Sequence, residues 1–198
     1  MATQTEICNI ALSLIGNRRI EQMADSNVRA RACTTHYEQA RLEMLEAHPW
    51  KRANSRIQQT KDATDPVFGF GSRYALPPDY ITIVDIGKNL PWEIEGDFIE
   101  TDADSPLNIK YTKNLTDTSK FSALMIEAFA HKLAARIAKK LVEQPSVVTE
   151  QLALFDHVIA KAKKIDGRGR STTLIKPGTW HNSRFRGLHF DRATIPDS

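Results

Sequence analysis

The chain has 198 residues, 41% hydrophobic and 26% charged. These are the proportions of a globular protein with room for one sizeable core, and they exclude a disordered or collagen-like chain. The formal charge of +3 is unevenly spread: from Gly167 to Ser198 six basic residues face two acidic ones, a net +4, so the remaining 166 residues sum to −1.

The opening MATQTEICNIALSLIGNRR has neither a basic leader nor a long apolar run, so secretion and membrane spanning are not expected. Cys8 and Cys33 stand far apart and form no CxxC pattern, so both read as buried free thiols. Thr3 or Thr5 can cap a first helix with Ile7, Ala11 and Leu14 on one face and Gly16 past its end. Ser26 or Asn27 can cap a second, in which Ala30, Cys33, Tyr37, Ala40, Met44 and Ala47 recur at steps of three and four until Pro49 closes it.

From about Asp65 prolines and glycines punctuate short segments that cannot be helical. Tyr80 to Ile86, rich in β-branched residues, reads as a strand, and Trp92 to Ile94, Phe98 to Thr101 and Leu107 to Lys113 read as shorter ones. Gly96-Asp97 and Asp102 to Pro106 supply the turns. After Asp117 to Ser119 helical period returns, with Ile126, Ala130, Leu133, Ile137 and Leu141 on one face of a helix of about 25 residues. Pro145 suits the first turn of another helix, whose Val148, Leu152, Phe155, Ile159 and Ala162 form the apolar face and whose end Gly167 can cap.

The expected fold class is therefore α+β, mainly α: a helical bundle of about four helices with a small antiparallel β insertion and an extended C-terminal arm. The expected divisions are 1–64 for the N-terminal helices, 65–117 for the β-rich insertion, 118–166 for the C-terminal helices and 167–198 for the arm. The arm shows neither helical nor strand period but carries large aromatics among arginines. Trp180, Arg184, Phe185, Arg186 and Phe190 are its candidate partner-binding residues, of types enriched where interfaces concentrate their binding energy.

Four stretches occur in order: Tyr37 to Trp50, ending His48-Pro49-Trp50; Tyr74-Ala-Leu-Pro-Pro-Asp-Tyr80; Leu107-Asn-Ile-Lys-Tyr111; and Ala128 to Ala138. Across roughly residues 5 to 145 this ordered set resembles the phage head-to-tail adaptor family, also called tail tubular protein A. The resemblance implies a virion component at the head-proximal collar of the tail, assembled in the host cytoplasm. About twelve copies would form a ring between the portal protein and the tail nozzle or tube, with genomic DNA passing through the channel without specific binding. It also implies a helical bundle, a small β domain and a C-terminal arm that clasps the portal or a neighbouring subunit.

The residues argue against an enzyme. The six histidines are dispersed, with no His-Glu-x-x-His, Gly-x-Ser-x-Gly or phosphate-loop sequence, and His48 and His131 read as capping or surface residues. Glu93, Glu95, Asp97, Glu100, Asp102 and Asp104 fit the solvent face of a hairpin better than a calcium loop or a glycosidase pair. Gly69 to Ser72 reads as a loop; Trp50 and Trp92 read as buried anchors of the bundle and the sheet. No catalytic residue, metal, cofactor or membrane contact is expected. Two other classes remain: a nucleic-acid-binding module using the basic aromatic tail, and a lysozyme-like polysaccharide hydrolase, which would need an acid buried in an apolar pocket.

Overall fold

The computed structural model describes residues 2–168, and the side chains of residues 2–165. Helix α1 (Gln4–Leu14) opens on a capping box, in which Thr3 Oγ1 accepts from the Glu6 amide and the Glu6 carboxylate accepts from the Thr3 amide. It stops where Gly16 adopts a φ of 70° and the Asn17 amide donates back to the Leu12 carbonyl. A side chain would be strained at that left-handed position. Asn27 caps α2 (Val28–Glu46) through a bond from the Ala30 amide. Of the expected face, Ala30, Cys33, Tyr37, Ala40 and Met44 are buried, and Ala47, at the C-cap, is half-buried.

Six antiparallel strands follow: β1 (Asn54–Gln59), β2 (Ser72–Ala75), β3 (Tyr80–Asp85), β4 (Trp92–Glu95), β5 (Phe98–Thr101) and β6 (Leu107–Lys113). They form two three-stranded sheets, ordered β1-β6-β3 and β2-β5-β4. A short 3-10 turn, Thr118–Lys120, capped by Asp117, leads to α3 (Ala123–Leu141), capped by Ser122. Last comes α4 (Pro145–Arg168).

Two separate cores hold these elements. The first is helical. Helix α3 touches α1, α2 and α4, and ten of its nineteen residues are buried, far more than one stripe. Five of the ten are alanines (Ala128, Ala130, Ala134, Ala135 and Ala138), small enough for several helices to approach one axis. Tyr37 packs edge-on to Phe129 with ring centroids 4.9 Å apart. Trp50, expected as an anchor, is buried here and donates its indole N–H to the Met44 carbonyl.

The second core lies within the β region. Tyr74, Leu76 and Ile99 from one sheet's segments meet Ile83, Leu107, Ile109 and Tyr111 from the other. Buried hydroxyls there are satisfied: Tyr74 Oη donates to the Ala103 carbonyl at 2.6 Å and Tyr111 Oη to Asp79 Oδ1 at 2.9 Å. Strict alternation would put Ile81 and Ile83 on one face, yet Ile81 packs on the helical core and Ile83 in the sheet core. The pairing of β3 with β6 shifts register between Tyr80 and Thr82 and again between Ile83 and Asp85, which turns the strand between its two neighbours.

The expected fold class is corrected on this point. The described residues form a mixed fold of four helices and six strands in two sheets, 45% helical and 19% strand among those residues, and not a helical bundle with a small insertion. The sheets have their own apolar core and begin at Asn54, within the stretch read as N-terminal helices. The physical reason is that Asn54-Ser-Arg-Ile-Gln-Gln59 carries one aliphatic residue and borrows its order from β6, with Ile57 opposite Ile109. Two helical details also change: α3 spans nineteen residues, and α4 runs through Gly167 to Arg168 where a cap was expected.

Candidate functional site

The five arm residues read as a partner-binding site, Trp180, Arg184, Phe185, Arg186 and Phe190, lie outside the described residues. What the described residues provide is a body with two cores and the surfaces it turns outward.

Three polar links join the elements of that body. Between α2 and α3, Glu43 takes hydrogen bonds from Arg136 and an ion pair from Lys132 Nζ at 3.2 Å. Burial pushes the Glu43 carboxyl up, but the bonds from Arg136, Gln39 and Lys132 outweigh it and hold the group below the usual carboxylate range. Between α3 and α4, His131 Nδ1 lies 2.8 Å from Gln151 Oε1, both residues buried. His131 was expected at a surface or cap; it is instead a cross-helix link, with Nδ1 as the donor because the amide oxygen can only accept. Between the helices and the chain leaving β6, buried Arg41 donates through Nη1 to Asn114 Oδ1 at 2.6 Å and to the Leu115 carbonyl at 2.9 Å.

Large apolar side chains face outward at several places among the described residues, singly, as at Ile10, Val28 and Ile57, and in neighbouring pairs. The loop between β1 and β2 presents Val67 at 97% exposure and Phe68 at 87%, beside Gly69. On α4, Leu152 and Leu154 are each 38% exposed. Leu152 was expected on the buried face, but Gln151 takes the inner position by bonding His131, which rotates the leucine outward. Strand β4 is exposed along its whole length. Trp92, expected as a buried anchor, is 37% exposed, because β4 sits at the margin of its sheet and overhangs the core beneath β5.

The acidic residues around β4 lie on the surface as alternation implies. Glu93, Glu95 and Asp97 are exposed and Glu100 is half-buried. Glu93 stands directly opposite Glu100, a like-charge pair. No lysine or arginine among the described residues forms an ion pair with these four carboxylates. Arg73, on neighbouring β2, is engaged elsewhere: it pairs with Asp62 at 3.0 Å and lies 4.3 Å above the Phe98 ring. Asp102 accepts from the Gly71 amide at 2.8 Å, which ties the Gly69 to Ser72 loop to the residue after β5.

Among the described residues no group of three or more His, Cys, Asp or Glu side chains could hold a metal ion, and no helix is long and apolar enough to cross a membrane. Cys8 and Cys33 are free and buried. Cys8 Sγ lies 3.2 Å from Met23 Sδ, and the hydrogen bond with Cys33, together with burial, raises the Cys8 thiol far above its ordinary range. A shallow depression of about 500 Å³ on the β1-β6-β3 sheet, lined among others by Arg56, Asp85, Asn108 and Lys110, has mixed charge and an open mouth.

Sequence reasoning missed Arg41, Glu43 with Arg136, Gln151, and the Val67-Phe68 pair. A usable signal existed only for the last, two large apolar residues between Asp65-Pro66 and Gly69, where neither helical nor strand period can bury them. No protein-family model matches the chain, and no curated protein matches it.

Proposed function

We propose that this protein is a non-enzymatic structural component of a phage virion, a ring-forming adaptor beneath the portal that joins it to the tail nozzle or tube. The observation that carries the reading is the outward placement of large apolar side chains on several elements, among them Val67 and Phe68, the β4 margin, and α4. A subunit in a closed ring between two other rings needs contact surfaces on several sides. The helical body, cross-linked by Glu43, His131 and Arg41, supplies the wall, the two-sheet body supplies a further contact, and the basic aromatic arm adds a tethered one. The ordered stretches from Tyr37 to Ala138 point the same way by their resemblance to the head-to-tail adaptors.

The test mixes purified protein with its portal and examines particles by electron microscopy, comparing the full chain with one ending at Arg168. Rings seated under the portal with the full chain, and lost with the shortened one, support the adaptor and its arm. Failure of the full chain to attach, or salt-sensitive capture of duplex DNA at sub-micromolar concentration, overturns the reading.

A further inference from the structure

We propose that residues 169–198 dock on their own chain along the open side of β4, as an added strand that parks the arm before assembly. Among the described residues strand β4 pairs with β5 alone, so on its other side none of them takes up its backbone groups. Its side chains alternate, with Glu93 and Glu95 on one face and Trp92 and Ile94 on the other. Arg184-Phe185-Arg186 in extended form alternates in the complementary sense, two cations on one face and an aromatic ring between them on the other. Paired with β4, the arginines stand beside Glu93 and Glu95 while Phe185 meets Ile94 and Trp92. Opposite-charge and aromatic-aliphatic neighbours are the pairs that stabilise adjoining strands.

The charges on β4 also select the occupant. Glu93 already faces Glu100, and a second β4 would add two more carboxylates to the same face, so like edges repel. A cationic strand relieves that repulsion, and residues 169–198 hold five basic residues against two acidic ones.

Reach and concentration favour docking within one chain. A body of 168 residues has a radius of gyration of about 15 Å, and the chain from Gly169 to Trp180 alone spans about 35 Å when extended. A tethered segment faces its site at an effective concentration near millimolar, well above that of other copies in dilute solution. The docking itself stands independently of the virion assignment; its role as a parked state, released when the arm meets the portal or a neighbour, rests on that reading.

The test is hydrogen exchange by mass spectrometry on the full chain at low micromolar concentration. The amides of Trp92–Glu95 are expected to exchange about tenfold slower in the parent than in Arg184→Glu/Arg186→Glu, with the protection independent of protein concentration. Glu93→Arg/Glu95→Arg is expected to lose the protection too, and the fourfold charge swap to regain it. Unchanged melting temperatures show that the variants remain folded. Equal exchange in parent and arm variant, no recovery in the swap, or protection that grows with concentration overturns the proposal. No portal is present, so this outcome is separable from failure of the adaptor reading.

Discussion

Replacing Arg41 tests whether the guanidinium acts through its ion pair or through the backbone it holds. Its partner Glu38 is 64% exposed, so the 2.7 Å ion pair is worth at most about 1 kcal/mol. The other side of the group is different. Nη1 holds the buried Leu115 carbonyl and the exposed Asn114 side chain; removing it orphans the carbonyl, at about 1–3 kcal/mol, while the Asn114 oxygen turns to water. Methionine keeps most of the apolar stem's volume, so the cavity contribution is small. Arg41→Met is therefore expected to cost about 1–3 kcal/mol and Glu38→Gln less than about 1 kcal/mol. For a domain of this size that lowers the melting temperature by roughly 2–12 °C in the first variant and about 3 °C or less in the second. Urea unfolding followed by circular dichroism gives both free energies. Equal costs for the two variants would falsify the assignment, because the ion pair would then carry what the structure gives to the carbonyl.

Gln151→Leu is expected to cost about 1–3 kcal/mol by stranding the His131 ring, while His131→Leu/Gln151→Leu recovers most of it; additive losses in urea unfolding refute the link. Glu43 has its folded-state carboxyl held low, so its stabilisation is present above the unfolded value and is lost as pH falls through the folded one. Parent stability should thus fall more steeply than that of Glu43→Gln below about pH 4.5, and parallel pH profiles would contradict this. Cys8 and Cys33, both at 0% exposure, should react with a thiol reagent only as fast as the protein unfolds; rapid labelling of the native chain would place a thiol at the surface. Phe129→Ala, at the crossing of α2 and α3, should cost about 3–5 kcal/mol by thermal or urea unfolding, and a loss below about 1 kcal/mol would deny it a central place.

The elements legible in the sequence were those whose burial is written in their own residues. The alternation in Leu107-Asn-Ile-Lys-Tyr111 marks β6 because Leu107, Ile109 and Tyr111 all point into one core. The steps from Ala30 to Met44 mark α2 for the same reason. Strand β1 was not legible, since Asn54 to Gln59 is ordered by hydrogen bonds to a partner fifty residues away and by little apolar burial of its own. Trp92 misled because residue type says how much a side chain gains from burial, and only sheet order says whether a neighbour covers it. Gln151 and His131 were missed because each is polar, and only their meeting across two helices lets them sit inside. Leu152 was misassigned as a direct result. The contact surfaces share this property: Val67, Phe68 and Ile94 are outward because of what does not pack on them, which a linear pattern does not record.

The path of the chain between its two cores carries one more consequence. It leaves the helices into β1 and returns from β6, and these strands lie side by side, Asn54 opposite Thr112. The crossing points are thus separated by about 5 Å, the spacing of adjacent strands. The whole excursion is one contiguous stretch of chain with neighbouring entry and exit, a geometry in which the two-sheet body is replaceable without moving the ends of the helices that flank it.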